Sequence, residues 1–271
     1  MRQVVSLVQK AGQASLAYWG NKPNAISLKA DKSPVTEADI AVNKLLIQGL
    51  TNLAPAIAIL SEESSNISLT TRLKWQRWWL IDPLDGTKEF IDNRSDFTVN
   101  VALIEQGQVI FGVVGIPVTG NCFFGGKSLG AWQQDQDGNH KAIHCRPIDD
   151  QQLAIVASHR HTSPEQQQFI SSLQQSTKIS QKNIGSSLKF CLIATGEADC
   201  YPRFAPTCQW DTAAAQGVLE GAGGVVLTDQ GKPLAYKAKA NYLNPYFIAI
   251  GDSHYQSTIL KLLPATATNK Y

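Results

Sequence analysis

The pattern of apolar and polar positions changes character about halfway along the chain. In the first half, apolar residues at helical spacing predict one helix over residues 4–19 and a second from residue 33 to about residue 50. Alternating β-branched residues at 97–104 and 109–116, on either side of a Gln-Gly turn, predict a β-hairpin. Short apolar segments just after it predict two more antiparallel strands. The first half is therefore expected to contain an antiparallel sheet with helices.

In the second half, patterns typical of strands alternate with patterns typical of helices. The predicted strands are 153–157, 179–184, 198–202, 225–227 and 246–250, and the predicted helices are 164–173, 188–195, 211–221 and a last one ending near 263. Such alternation indicates α/β layering with crossover connections. The polar stretch at about 133–150 predicts a boundary between a first domain at 1–145 and a second at 146–271.

Two carboxylates lie three residues apart where a buried strand is expected to end. The apolar run 78–81 is followed by Asp82, Pro83, Leu84 and Asp85, and proline is not expected within a central strand. On a turn after a strand, Asp82 and Asp85 would point into one small volume, where their repulsion is tolerable only with a cation between them. Oxygen ligands alone suit Mg²⁺ or Mn²⁺ rather than zinc.

Gly86 and Thr87 follow directly. Glycine lets the backbone approach a ligand closely, and the two N–H groups could hold a phosphate oxygen. The alternative is an ordinary turn between strands, for which Pro, Asp and Gly are the usual residues.

Further acidic residues stand at the ends of predicted elements. Glu62 and Glu63 follow an apolar strand at 56–60, a place where acidic pairs commonly belong to a solvated loop. Asp39 lies three residues after Thr36 at the start of the second helix, the spacing of a helix cap. Asp211 opens the last-but-one predicted helix, where an acid is likewise ordinarily a cap.

Taken together, four segments resemble the Mg²⁺-dependent, lithium-sensitive phosphatases of the inositol-monophosphatase-like superfamily. They are V-T-x-x-D at 35–39, the Glu-Glu pair at 62–63, D-P-L-D-G-T at 82–87 and W-D-T-A-A at 210–214. Haloacid-dehalogenase-type phosphatases are excluded, because their motif D-x-D-G-T has a single residue between the carboxylates and usually lies near the chain start, whereas D-P-L-D-G-T has Pro83 and Leu84 between them and begins at residue 82. The resemblance implies the layered α-β-α-β-α sugar-phosphatase fold, an arrangement of the α+β or α/β class.

The resemblance also implies a role for each residue. The ligands of two or three Mg²⁺ would be Glu62, Asp82, Asp85, Asp211 and the Leu84 carbonyl, with Glu63 as a weaker candidate beside them. Thr87 with Asp39 would orient and deprotonate the attacking water, and Glu62 is counted with these catalytic residues. The reaction implied is metal-assisted hydrolysis of a phosphomonoester.

Two segments of the second half are similar to bacterial 3′(2′),5′-bisphosphate nucleotidases of the CysQ type, namely G-S-S-L-K-F-C at 185–191 and Y-P-R at 201–203. This similarity implies that Ser186, Lys189 and Arg203 contact the phosphate that is not cleaved, and that His161 stacks on adenine. Arg160 departs from the pattern of that subfamily, so its role is left open. The full set of predicted substrate-binding residues is Ser186, Lys189, Arg203, His161, Glu62, Leu84, Asp85, Gly86, Thr87 and Asp211. The alternative for the segment with Ser186, Lys189 and Arg203 is helix capping, with the two cations solvated.

Composition narrows the classes of partner. With 24 Lys and Arg against 22 Asp and Glu, the chain has no overall positive field for a nucleic acid polymer. Five cysteines without a C-x-x-C pair fit a reducing compartment. No apolar run approaches the ~20 residues that span a bilayer, and the N-terminus becomes polar too soon for a signal peptide. We expect a soluble cytoplasmic protein, and leave open its oligomeric state and any peripheral contact with the inner membrane.

The favoured hypothesis is a Mg²⁺-dependent phosphatase that removes the 3′-phosphate from adenosine 3′,5′-bisphosphate and yields AMP. Cleavage of the 3′-phosphosulfate nucleotide is left open, and a role in sulfur assimilation is implied by the resemblance alone. The alternatives are an inositol monophosphatase and, from another class, a nucleotide- or metal-binding sensor without turnover. The presence of all the predicted acids argues against the sensor.

Overall fold

The first half of the chain forms a seven-stranded sheet in the computed structural model, which describes residues 1–20, 26–28, 34–159 and 163–263. A separate two-stranded ribbon consists of β1 (Ile26–Leu28) and β2 (Pro34–Thr36). In order across the large sheet, the strands are β3 (Ala58–Ser61), β4 (Arg77–Asp85), β5 (Thr98–Glu105), β6 (Gln108–Ile116), β7 (Asn121–Gly126), β8 (Gly130–Gln134) and β9 (His140–Ala142). Strands β3 and β4 are parallel, and every later pair is antiparallel. The predicted hairpin is β5–β6.

The second half forms a five-stranded mixed sheet. Its strands are β10 (Gln152–Ala157), β11 (Lys178–Asn183), β12 (Cys200–Arg203), β13 (Val225–Thr228) and β14 (Phe247–Ile250), arranged in the order β11-β10-β12-β14-β13. Strand β10 runs parallel to both of its neighbours, whereas β14 runs antiparallel to β12 and β13. The predicted crossover layering is therefore present in the first three strands.

Helices cover both sheets and separate them. They are α1 (Arg2–Ser15), α2 (Glu37–Leu53), α3 (Leu69–Arg72), α4 (Thr87–Ile91), α5 (Pro164–Gln174), α6 (Leu188–Ala194), α7 (Trp210–Gly221) and α8 (Gln256–Lys261). Strand β4 shows how the layers arise, because its alternating side chains point to opposite faces. Trp79 and Ile81 pack with α1 and α2, whereas Trp78 and Leu80 join the apolar cluster that contains α7. No helix among the described residues is long and apolar enough to cross a membrane.

The helices α6 and α7 lie between the sheets, and α5 and α8 pack on the outer face of the second sheet. The central cluster includes Ala213 and Val218 of α7 with Tyr201 and Phe247 of the second sheet. A Cβ on Gly112 of the first sheet would lie 2.0 Å from the Ala214 carbonyl oxygen, so only glycine allows α7 to pack this closely. The layer order is α-β-α-β-α, and the predicted fold is confirmed.

Strand β4 continues through Pro83 to Asp85, and the expectation that it would end at Asp82 is wrong. Strand β3 ends opposite Ile81, so beyond this point β4 has one neighbouring strand. The pairing with β5 also shifts its register between Asp82 and Asp85. Proline is tolerated in strands at such edges and bulges, because no ladder hydrogen bond is lost there.

The polar stretch at 133–150 contains a strand that its composition did not predict. Strand β9 pairs with β8 at the edge of the large sheet, with Ala142 opposite Trp132. All three residues of β9 are exposed, so the strand carries no apolar alternation. The division of the chain at residue 145 stays a prediction.

Candidate active site

A cavity of about 260 Å³ brings together side chains from both halves of the chain. The predicted site residues on its wall are Glu62, Asp85, Gly86, Thr87, Ser186, Lys189, Arg203 and Asp211. They come from the segment after β3, the junction of β4 with α4, the start of α6, the end of β12 and the start of α7. Elements distant in sequence thus form one polar site.

Asp39 joins the start of α2 to this site. Its Oδ2 accepts hydrogen bonds from the Thr36 N–H at 2.8 Å and from the Thr36 hydroxyl at 2.6 Å, so the predicted cap is confirmed. Its Oδ1 lies 3.3 Å from the Thr87 hydroxyl, which donates to it. One buried carboxylate therefore caps a helix and contacts the predicted catalytic threonine.

Gly86 makes the turn from β4 into α4. Its φ of +95° lies in the left-handed region, which residues with a Cβ rarely adopt. Thr87 is the first residue of the helix, and its hydroxyl also lies 3.2 Å from the Leu84 carbonyl oxygen. The turn thereby sets the position of Thr87 between Asp39 and Leu84.

Two aspartates on the cavity wall have raised pKa values. Burial raises the pKa of Asp85 to about 6, although Lys189 and the Ser187 N–H act to lower it. Burial, with the neighbouring charges of Asp85 and Glu62, raises the pKa of Asp211 well above its ordinary value. These carboxylates are close enough to repel one another, and a cation placed among them would relieve that repulsion.

Two buried cations lie beside the carboxylates, so the alternative of solvated cations is wrong. Lys189 is 5% exposed and Arg203 is 6% exposed. Burial lowers the pKa of Lys189 to about 8, against the raising influence of Asp85. Lys189 Nζ donates to the carbonyl oxygens of Ser186 at 2.5 Å and Ile184 at 3.2 Å. Arg203 Nη2 donates to the Pro206 carbonyl oxygen at 3.1 Å, while its buried Nε has no hydrogen-bond partner among the residues that the structure describes.

Nearly the full length of the chain, residues 1–264, matches the inositol monophosphatase family. The chain belongs to the inositol monophosphatase family. Members of this family are metal-dependent phosphatases that typically use Mg²⁺.

Within the family, the chain is similar to proteins of the CysQ group. It is 46% identical over 246 residues to the 3′(2′),5′-bisphosphate nucleotidase CysQ of Shigella flexneri, covering 90% of this chain and 97% of that protein. The crystal structure of CysQ from Bacteroides thetaiotaomicron superposes with a TM-score of 0.79 at 32% identity, covering 92% of this chain and 96% of that one. The suhB structure of Bartonella henselae, at 23% identity, matches the fold with a TM-score of 0.80 and 98% coverage of both chains.

The donor set fits the hard cation that the family typically uses. The carboxylates that line the cavity are those of Glu62, Asp85, Glu89 and Asp211, and no sulfur or imidazole ligand is among the lining residues. No three His, Cys, Asp or Glu side chains within the described ranges converge as a ready-made metal-binding group. The acids instead surround one space, and burial, the largest cause of the raised pKa values of Asp85 and Asp211, disfavours their charged forms in the absence of a nearby cation.

Some predicted ligands lie behind the cavity wall. Asp82 is 1% exposed, and its Oδ1 accepts a hydrogen bond from the Leu84 N–H at 3.1 Å. The Leu84 side chain is buried, and its carbonyl accepts from Thr87. Neither residue lines the cavity, nor does Glu63, as the described residues define it. Their roles as metal ligands stay predictions, and His161 and Arg160 lie outside the described residues.

Sequence reasoning missed the polar residues that support the start of α6. Asp96 Oδ2 accepts from the Gly185 N–H at 2.6 Å, and Asp96 also contacts Arg94 and His159. Thr98 and Asn100 hydrogen-bond to Ser187. A signal was available, because Thr98 and Asn100 stand at alternate positions of an otherwise apolar strand and must share a face. Buried polar pairs on one face require partners.

Proposed function

We propose that this chain is a Mg²⁺-dependent 3′(2′),5′-bisphosphate nucleotidase that converts adenosine 3′,5′-bisphosphate to AMP and phosphate. The observation that carries the proposal is the presence, in one cavity, of the acids Asp85 and Asp211 beside the buried cations Lys189 and Arg203. A substrate with two phosphates can place one among the metal-binding acids and the other near the cations. The similarity to the CysQ nucleotidases supports the same substrate.

The chain's own residues supply proton transfer and orientation. Thr87 Oγ1 can accept a proton from the attacking water while passing its own proton to Asp39 Oδ1, 3.3 Å away. The water oxygen then bonds to phosphorus as the bond from phosphorus to the ribose 3′-oxygen breaks. The 3′-oxygen takes up a proton from solvent and Asp39 returns its proton to solvent, so that the products are AMP with a free 3′-hydroxyl and phosphate. Mg²⁺, when bound by Glu62, Asp85 and Asp211 with the predicted Asp82 and Leu84, supplies charge neutralisation and lowers the pKa of water.

The second phosphate is proposed to bind the start of α6 and the end of β12. Arg203 is suited to this role because its buried Nε lacks a partner in the part of the chain that the structure describes. An unsatisfied buried donor is costly, and a phosphate oxygen would satisfy it. Lys189 contributes positive charge next to it, although two of its three N–H groups already hold the loop at Ile184 and Ser186.

An inositol monophosphate has no second phosphate for this pair of cations. The buried pair therefore favours the bisphosphate nucleotide over the inositol monophosphatase alternative. The sensor alternative is disfavoured because Asp39 and Thr87 keep the hydrogen bond that proton transfer requires. The number of Mg²⁺ ions and the cytoplasmic location remain predictions, and cleavage of the 3′-phosphosulfate nucleotide is left open, as is contact with the inner membrane.

Phosphate release from three substrates tests the proposal. The full chain is incubated with Mg²⁺ and adenosine 3′,5′-bisphosphate, inositol 1-phosphate or fructose 1,6-bisphosphate, with EDTA-treated protein as the control. We expect the highest kcat/KM for the nucleotide and no release after EDTA. A higher kcat/KM for inositol 1-phosphate would replace the proposal with the inositol monophosphatase, and Mg²⁺-dependent binding without release from any substrate would favour the sensor.

A further inference from the structure

Three buried polar side chains form a closed ring of hydrogen bonds between the two sheets. The Ser187 hydroxyl donates to Asn100 Oδ1 at 2.8 Å, and Asn100 Nδ2 donates to Thr98 Oγ1 at 3.3 Å. Thr98 Oγ1 and Ser187 Oγ are 2.8 Å apart. Because the Ser187 proton is already directed to Asn100, Thr98 is the donor in this last contact. Every member of the ring both donates and accepts.

The ring is almost completely buried, and Ser187 is the member that also lines the active-site cavity. The exposed fraction of Ser187 is 2%, that of Asn100 is 1% and that of Thr98 is 0%. Thr98 and Asn100 belong to β5 of the large sheet, whereas Ser187 immediately precedes α6 in the second half of the chain. A buried network in which every member both donates and accepts restricts the position of each member.

The backbone of Ser187 points to the active site. Its N–H donates to Asp85 Oδ2 at 2.5 Å, a short charge-assisted hydrogen bond. Because the ring holds the Ser187 hydroxyl, it also restrains the backbone N–H of the same residue. Because Oδ2 is held by this hydrogen bond, rotation of the Asp85 carboxylate is restricted.

We infer that Ser187, held by Thr98 and Asn100, is a positioning residue that sets the orientation of the Asp85 carboxylate for cation binding. The inference deepens the proposed function, on which it rests for the role of Asp85 as a metal ligand. It also gives the second half of the chain a part in building a cation site whose acids come mostly from the first half. Partners that orient metal ligands typically contribute 10- to 100-fold to metal affinity.

The test compares the Mn²⁺ affinity of variants with that of the unchanged chain. Electron paramagnetic resonance measures free Mn²⁺ in the presence of the metal-free full chain, without substrate. Thr98→Val removes one hydroxyl of the ring and keeps the shape of the side chain, and Ser187→Ala removes another. Thr98→Ser keeps the hydroxyl and serves as the conservative variant. Ser15→Ala is the matched control, because Ser15 is a fully buried serine of α1 whose hydroxyl donates to the Gly12 carbonyl within its own helix.

We expect Thr98→Val and Ser187→Ala to raise the Mn²⁺ dissociation constant roughly tenfold, since the Ser187 N–H remains but is less well oriented. Thr98→Ser and Ser15→Ala should bind Mn²⁺ as the unchanged chain does. The Mg²⁺ concentration for half-maximal activity should rise in the first two variants, with kcat at saturating Mg²⁺ largely restored. Melting temperatures, measured for all four, show whether any variant is also less stable.

Mn²⁺ affinity within twofold of the unchanged chain in both Thr98→Val and Ser187→Ala would overturn the inference, whatever their stability. An equal loss of affinity in Thr98→Ser would overturn it too, because that variant keeps the hydroxyl. If Ser187→Ala does not fold, Thr98→Val decides alone. If the unchanged chain binds no Mn²⁺, the cation site and this inference both fall, whereas Mn²⁺ binding without nucleotide hydrolysis contradicts only the proposed function.

Discussion

Thr87 Oγ1 lies 3.3 Å from Asp39 Oδ1, and this contact joins the first turn of α2 to the first turn of α4. The other oxygen of Asp39 is occupied by the N–H and hydroxyl of Thr36. Helix capping therefore fixes the carboxylate that Thr87 contacts. In this arrangement the capping function and the proposed catalytic function of Asp39 depend on different oxygens of one side chain.

Asp39→Asn separates these two functions. The amide oxygen can still accept from Thr36, so the helix cap is retained, but the amide cannot accept the proton that Thr87 passes on. We expect kcat to fall about 10²- to 10⁴-fold while the melting temperature changes by only a few degrees. Steady-state kinetics and thermal unfolding check this, with the exposed Asp137→Asn as the control. A loss of stability that parallels the loss of activity would reduce Asp39 to a structural cap.

Asp82→Asn is expected to abolish turnover and leave the fold intact. The Asn side chain has the same shape and its Oδ1 can still accept from the Leu84 N–H, but a negative oxygen is lost from the predicted metal site. We expect activity to fall by at least about 100-fold at moderate Mg²⁺, with unchanged circular dichroism. Near-normal activity of the purified variant would show that Asp82, which does not line the cavity, is not a metal ligand.

Lithium should inhibit the enzyme. Li⁺ is a small hard cation that can occupy a Mg²⁺ position with half the charge, so it would stabilise the phosphate and the leaving oxygen less well. Phosphate release is measured in LiCl, with equal NaCl as the control for ionic strength. Equal effects of the two salts would contradict a cation site typical of this family.

Substitution of the buried cations distinguishes binding of the second phosphate from support of the fold. Arg203→Ala should lower kcat/KM for adenosine 3′,5′-bisphosphate about ten- to hundredfold, since a charge-assisted contact contributes on the order of 1.5–3 kcal/mol. Hydrolysis of 3′-AMP, which lacks the 5′-phosphate, should change little. Adding Lys189→Ala should increase the difference between the two substrates.

The control for this experiment is Arg2→Ala, which removes an exposed arginine of α1 and should affect neither substrate. An equal fall on both substrates would mean that Arg203 supports the metal site or the fold. Lys189→Ala is more prone to this outcome than Arg203→Ala, because Lys189 Nζ donates to backbone carbonyls of the loop before α6. No fall on either substrate would return the specificity to inositol monophosphate.

Asp96 is expected to make stability depend on pH in the acidic range. Burial acts to raise the pKa of Asp96, but hydrogen bonds from the Arg94 side chain and the Gly185 N–H outweigh it, so the pKa lies below its ordinary value. A carboxylate with a lowered pKa in the folded state stabilises the protein above its unfolded pKa, and this contribution is lost as pH falls through the folded pKa. Asp96→Asn should therefore destabilise the protein at pH 7, by on the order of 1 kcal/mol.

Urea unfolding of both proteins at pH 7 and near pH 3 checks the sign. The difference in free energy of unfolding should shrink as the pH falls, because the wild-type carboxylate becomes neutral like the amide. A difference that stays constant or grows with acid would show that the Asp96 charge is not what holds the loop at Gly185.

Most of the fold and several site residues could be predicted from local signals. The Gln106-Gly107 turn between two alternating segments has the backbone that a tight hairpin needs, with positive φ at both residues. The spacing of Thr36 and Asp39 predicted the cap, and Gly86 follows Asp85 where the chain must turn. Such features depend on neighbouring residues, so they can be read from the sequence. The predicted roles of Asp82, Leu84 and His161 stay predictions.

Other features were decided by tertiary structure, because they depend on which distant segments become neighbours. Proline at position 83 is compatible with a strand only because β3 ends opposite Ile81, which no local pattern indicates. The sequence left open whether Lys189 and Arg203 are solvated, and the packing of α6 and β12 against the site buries them. The ring that links Ser187 to β5 arises for the same reason. Residue type and spacing determined what the side chains could do, and long-range packing and the removal of water decided which of them act together.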